Sequence, residues 1–385
     1  MNARNQACPS SGLFTTLRSG LAMFAALTIG LVATLPAHAQ GESLPTDIRR
    51  APQLTSAQEQ AVQSFVKEHT SNLASDNPQF IKRDRSALLE PLADLEASPK
   101  FRFTYAEALI PTLESLAGNA NEMVVINAMV LAGDLATAQG VTYLTKGLTA
   151  AKPAVRYQAA FGLRRTFEAL AAMPSPTIND EQRVAAIESI AGRMKDEADA
   201  VVLDGLVYAA LEAGKAPATR NAAMIQLGRA MAAKVRAVGG KAASDSMAQV
   251  LLRAGAGLRD SLVAAQAGQV SDEAVMAAAD AAGAMIAYCV KAVESRSLPA
   301  AAQGTTPARE AHAQLATTCE NVVLLGATLK KGGSVPEARK IGDKIRAGTA
   351  ESDQAFVQDA RALVGREGLL SKPPFGFAPG SFLDK

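Results

Sequence analysis

The chain has no tryptophan, and aromatic residues make up only 4% of it. Sugar sites usually rest on aromatic platforms, so this scarcity argues against a carbohydrate-binding surface. Histidine is almost missing too: three in 385 residues, with His69 and His312 far apart and in neither HExxH nor HxH spacing. A zinc site needs about three or four N, S or O ligands, which these residues do not assemble. No G-x-S-x-G elbow marks a serine nucleophile. No C-x-x-C or C-x-x-C-H marks a redox motif or haem attachment. Ala254-Gly255-Ala256-Gly257-Leu258 lacks a third glycine and a preceding strand, and reads as small residues at a helix contact. Gly239-Gly240-Lys241 lacks the upstream loop and the following Ser/Thr of a phosphate loop, and reads as a turn. No catalytic residue, metal ligand or cofactor is therefore nominated.

An excess of charge is also lacking. Lys and Arg number 39 against 37 Asp and Glu. The small excess sits in the first residues, which carry Arg4 and Arg18 and no acid. An apolar run, LAMFAALTIGLVATL, follows; Pro36 breaks it, and Ala37-His38-Ala39 places small residues where a signal peptidase reads them. This order of basic, apolar and small-residue regions is that of a secretory signal over 1–39, with cleavage between Ala39 and Gln40. The run of 15 residues falls short of the roughly 20 that span a bilayer. Adjacent arginines are absent, which favours a Sec-type route. The expected product is periplasmic or secreted, bacterial, and without a membrane span. Without Arg4 and Arg18 it holds 37 residues of each sign. Electroneutrality argues against nucleic acid as a partner.

What is abundant is alanine, in helical patterns. Residues 40–53 (QGESLPTDIRRAPQ) are polar and read as a flexible N-terminus. Ser56 to Glu59 has the spacing of a capping box, and Ala61, Val62, Phe65 and Val66 recur at helical spacing. Asn77-Pro78 and Ser98-Pro99 pair a cap residue with proline at the first helical position. Pro91 and Pro111 should kink or restart helices.

Between 99 and 215 a repeat emerges. VVINAMVLA from Val124, VRYQAAFGL from Val155 and VVLDGLVYA from Val201 align at offsets of 31 and 46. Each puts a polar residue fourth (Asn127, Gln158, Asp204) and a small one fifth (Ala128, Ala159, Gly205). Each follows a shorter apolar helix candidate, and paired helices repeated in this way stack into an α-solenoid. The stretch LTKGLTAAKPAVRYQAAFGLRRTFEAL resembles a HEAT repeat: Pro153 opens the second helix, and Val155-Arg156, Ala159-Ala160 and Leu163 follow the V-R…A-A…L pattern. Leu109-Ile110-Pro111 resembles the proline-kinked first helix of such repeats. The arginine of the pattern is Val125 and Val202 in the other copies. The resemblance implies a surface that binds proteins; it implies no chemistry.

Beyond 215 four long helix candidates (217–238, 244–266, 271–296, 306–331) with short connections read as an antiparallel, up-down bundle, with two more near 335–347 and 351–366. The fold class is thus all-α: a HEAT-like solenoid over 54–215, then a helical bundle over 216–366. The tail 367–385, SKPPFGFAPGSFLDK at its end, is extended or disordered, or docks through Phe375, Phe377 and Phe382. Cys289 and Cys319 fall on consecutive helices and form either a disulfide or two buried thiols.

Arg156, Arg164, Arg165 and Glu168 cluster on one helix. They form either a protein-binding patch or a solvated face braced by the Arg164–Glu168 i, i+4 pair. Asn127, Gln158 and Asp204 form either an architectural polar row stacked between repeats or a row that meets a ligand. The leading expectation is a non-enzymatic scaffold of the cell envelope with a protein partner. Its rivals are a bundle binding an apolar small molecule near Met247, Met276 and Met285, and an enzyme using acids such as Glu107, Glu114 and Asp134.

Overall fold

A computed structural model of the chain describes residues 43–75, 77–238, 245–264, 268–300, 306–331 and 336–383. The signal over 1–39, its Ala39–Gln40 cleavage point, and Gly239-Gly240-Lys241 lie outside the described residues. Among those described there are fifteen α-helices and no strand. In chain order they are α1 (Thr46–Arg49), α2 (Ser56–Thr70), α3 (Pro78–Leu89), α4 (Pro99–Leu116), α5 (Glu122–Leu135), α6 (Ala138–Gly147), α7 (Pro153–Ala172) and α8 (Asp180–Asp196). Then follow α9 (Ala200–Ala213), α10 (Pro217–Val238), α11 (Asp245–Ala264), α12 (Asp272–Glu294), α13 (Pro307–Lys331), α14 (Ile341–Ala347) and α15 (Ala350–Val364).

The caps explain most of these starts. Asn77 and Ser98 accept hydrogen bonds from the Gln79 and Phe101 amides, each ahead of a proline at the first helical position. The first capping box forms one residue earlier than its spacing suggested, between Thr55 and Gln58. At Pro91 the chain leaves the α-helix for a 3-10 turn, whereas α4 runs on through Pro111.

Many helices pack along the helix two places away in sequence as well as on their immediate neighbours, α10 on α12, α11 on α13, α7 on α9 and α5 on α7 most extensively. One layer holds α2, α4, α6, α8, α10 and α12; the other holds α3, α5, α7, α9, α11 and α13. Ion pairs fix the direction. Arg229 of α10 meets Glu273 and Arg236 meets Asp280 of α12, both partners moving up by seven residues together, so the two helices are parallel. Close approach depends on missing side chains. A Cβ at Gly133 of α5 would lie 2.8 Å from the Gly162 Cα of α7, and one at Gly228 of α10 would lie 2.6 Å from the Ala277 carbonyl oxygen of α12. The small positions Ala128, Ala159 and Gly205 are all buried.

The long helices of 216–366 pack on one another, α10 along α12, α11 along α13 and α12 against α13, and join the earlier helices in one compact unit over 43–385. Small residues (Gly228, Gly257, Ala277) let alternate helices come as near as neighbours in sequence. Two expectations are corrected here. Residues 43–53, expected to be flexible, are held: Leu44 is buried, Arg50 forks onto Asp94 at 3.0 and 3.2 Å, and Ser98 N donates to Arg49 O. The tail is neither extended nor disordered up to residue 383. Leu370 and Phe382 fill the space left by Gly283 of α12, and Phe375 sits 3.3 Å from where a Gly326 Cβ would be. The single described helix long and apolar enough to cross a membrane is α12, and 83% of its apolar window is buried inside the protein.

Candidate interaction surface

The outward face of α5, α7, α9 and α11 carries Tyr157, Tyr208, Arg164, Arg165 and Arg253. Because these helices run parallel, positions near their starts fall along one edge. Met123 of α5, Tyr157 of α7 and Val201 of α9 stand there with 57%, 38% and 64% of their surface exposed. Tyr157 stacks on Phe161, ring centroids 6.5 Å apart, and lies over the space that Gly205 of α9 leaves open. Further along, the Tyr208 ring of α9 is flanked by two guanidiniums: Arg164 of α7 at 5.0 Å and Arg253 of α11 at 4.0 Å. Asp204 accepts from Arg253 at 2.6 Å, and Glu168 accepts from Arg164 at 2.8 Å.

The polar row is thus bounded by arginines. Arg85 of α3 donates to Asn127 of α5 at one end, and Arg253 of α11 donates to Asp204 of α9 at the other. Gln158 lies between them on α7, half-buried. The row is interhelical, as its spacing suggested, but the bonds run from flanking arginines and not within the row.

The four-residue patch expected on α7 separates. Arg156 and Arg165 are nine residues apart, about half a turn out of phase on a helix. Arg156 is buried. Its Nε and a terminal nitrogen hold the Glu197 carboxylate at 2.7 and 2.8 Å, and its other nitrogen donates to the carbonyls of Ala150 and Ala151. Glu197 is fully enclosed and also accepts from Arg193 and the Asp199 amide. Lys234 of α10 donates to the Glu197 carbonyl. Burial works to raise the Glu197 pKa, but the Arg156 bonds, the Asp199 amide and Arg193 outweigh it and hold it at about 2. Arg156 therefore braces α7 against the turn between α8 and α9 and is no part of an exposed patch. Arg164, Arg165 and Glu168 remain at the surface, with Arg165 paired to Asp134 of α5.

Arg102 is a second brace, and it was not singled out beforehand. Fully buried, it donates to four backbone carbonyls: Leu92, Asp94, Asp134 and Leu135. Burial pulls its pKa down to about 10, against the pull of Asp94 and Asp134. A signal existed. Pro99-x-x-Arg102 and Pro153-x-x-Arg156 share one spacing, and both arginines fold back onto carbonyls just ahead of their own helix.

Cys289 and Cys319 are free and buried. The antiparallel register explains why no disulfide joins them. Cys289 faces the His312 carbonyl, and Cys319 faces Met285. The two cysteines therefore sit about one turn, roughly 6 Å, apart along the helix axis. At that offset each sulfur faces a different partner, Cys289 the His312 carbonyl and Cys319 the Met285 thioether, and not the other cysteine. The acids Glu114 and Asp134 do not converge: Lys146 holds the first and Arg165 the second. Met285 packs in the core against Cys319. Among the described residues no three or more of His, Cys, Asp and Glu are grouped to hold a metal.

In the other layer, α6 and α8 part to leave an open groove of about 540 Å³, floored by Val141 and Ala186. Its hydroxyls, those of Thr142, Thr145, Thr149 and Ser189, donate to carbonyls of their own helices, so the walls present methyl and methylene groups.

No family model matches the sequence, and no curated protein matches it. Among solved structures the chain is similar to an engineered protein whose crystal structure came from the Northeast Structural Genomics Consortium. That likeness has 16% identity and a TM-score of 0.29, and covers 68% of this chain and 97% of the other.

Proposed function

We propose that this chain is an exported, non-enzymatic scaffold of the cell envelope, built of HEAT-like repeats, which binds another protein through the face of α5, α7, α9 and α11. The observation that carries the reading is the Arg164–Tyr208–Arg253 stack beside the exposed Met123, Tyr157 and Val201. Tyrosine, arginine and methionine are enriched at protein interfaces, and residues of this kind carry most of the binding energy. The guanidiniums are already paired and stacked, so a partner meets an ordered surface and little side-chain freedom is lost on binding.

Crosslinking in cells followed by mass spectrometry tests the binding. The native chain is expected to give one reproducible partner, and the Tyr157→Ala/Tyr208→Ala double variant to lose it while keeping its helix content. A double variant that crosslinks to the same partner as strongly as the native chain contradicts the assignment of the face. Export is tested separately by sequencing the N-terminus of the protein recovered from cells. The proposed cleavage gives a chain beginning at Gln40; a chain retaining residues 1–39 contradicts it.

A further inference from the structure

The buried Arg156–Glu197 pair closes one junction between helix pairs, and the junction before it lacks the pair. Arg156 stands four residues after the α7 cap, Lys152; Glu197 stands two residues ahead of the α9 cap, Asp199. One helix pair earlier, the residue four after the α5 cap, Asn121, is Val125. The residue two ahead of the α7 cap is Ala150. Both partners of the ion pair are thus replaced by short apolar side chains. Neighbouring side chains do not take up the volume. A pocket of about 450 Å³ remains between α4, α5, α6 and α7, and Val125 and Ala150 both line it.

Its walls are apolar. Val125, Met129, Tyr143 and Val155 are all buried and form the floor. Met129 lies against Gly147, where a Cβ would come within 2.7 Å of its methyl; an unbranched thioether at this point adjusts to the shape of a guest. The polar groups in the lining are already engaged. Tyr143 donates to the Leu113 carbonyl at 3.0 Å, and Thr149 donates to the Lys146 carbonyl at 2.8 Å. The Ala150 carbonyl accepts from Arg156 at 3.0 Å. At the mouth Lys146 and Glu114 pair at 3.2 Å, so their charges cancel. A charged or strongly hydrogen-bonding guest would give up water here and gain no matching group.

We propose that this pocket binds a small uncharged aromatic molecule. Its volume falls within the roughly 300–1,000 Å³ usual for small-molecule sites. The Tyr143 ring and the Met129 sulfur offer a guest ring the contacts that aromatic groups prefer. The site lies apart from the Arg164–Tyr208–Arg253 stack and does not depend on a protein partner.

The test titrates the full chain with N-phenyl-1-naphthylamine, an uncharged aromatic probe whose fluorescence rises in apolar surroundings. Saturable binding is expected. Val125→Arg/Ala150→Glu writes the missing ion pair into the junction; it should weaken binding at least about tenfold and keep the unfolding midpoint. Ala117→Trp fills the pocket from an exposed position on its rim, and should weaken binding to the same extent. Ala185→Trp, exposed in the separate groove between α6 and α8, should bind as the native chain does. Should the double variant fail to fold, the two tryptophan variants decide alone. A native chain without saturable binding overturns the proposal. So does an Ala117→Trp chain that binds as tightly as the native one, or an Ala185→Trp chain that loses binding as fully as Ala117→Trp.

Discussion

Glu197 shows what single residues contribute here. Its carboxylate receives two arginines and a backbone amide inside the protein. Removing one partner of a buried ion pair leaves the other charge uncompensated and costs about 3–5 kcal/mol. Glu197→Gln should lose stability of that order in urea unfolding at pH 7. The folded pKa, about 2, lies below the ordinary 4.5. The carboxylate's stabilisation is therefore fully present above pH 4.5 and is lost as pH falls towards 2. The gap between native and Glu197→Gln stabilities should shrink over that window and stay constant above it. A gap independent of pH between 4.5 and 2 contradicts this account. None of this was legible beforehand, because an arginine on a helix looks alike whether it faces water or a buried acid 41 residues away. The cap residues were legible, since a cap bonds within three residues of itself.

At the scale of the element, the glycines decide how close the helices come. Gly133→Ala places a methyl against the Gly162 backbone and should destabilise by about 1–3 kcal/mol through overpacking. Gly192 of α8 has open space where its Cβ would be. Gly192→Ala should stabilise by up to about 1 kcal/mol. Opposite signs in denaturant midpoints are the expected result; equal effects contradict the close-packing argument. Helix positions followed from periodicity and proline punctuation, and the long helices α10 to α13 fall within a few residues of their expected ranges. Which helix packs on which did not follow. Short connections favour antiparallel neighbours but leave open which helices lie side by side. That rests on pairs such as Gly228 and Ala277, 49 residues apart, which no local pattern links.

At the largest scale, the helices described between 43 and 383 form one compact unit finished by the tail. Phe375 and Phe382 are each buried against a glycine of α12 or α13, and truncating a buried phenylalanine costs about 3–5 kcal/mol. Phe382→Ala should lower stability by about that amount and leave binding through the α5–α11 face unchanged. A disordered tail would make the substitution neutral. The all-α class was plain from composition and pattern. The candidate face was half plain: Arg164, Arg165 and Glu168 were singled out, whereas Tyr157, Tyr208 and Arg253 become a surface only when parallel helices align them. The central claim is that this face receives a protein partner. A photo-crosslinking amino acid placed at Val201, exposed on the face, and at Glu188, exposed on α8 of the other layer, tests it most directly in living cells. The account predicts a crosslinked species of one reproducible mass from position 201 and none from 188. Equal crosslinking from both positions, or none from 201, contradicts it.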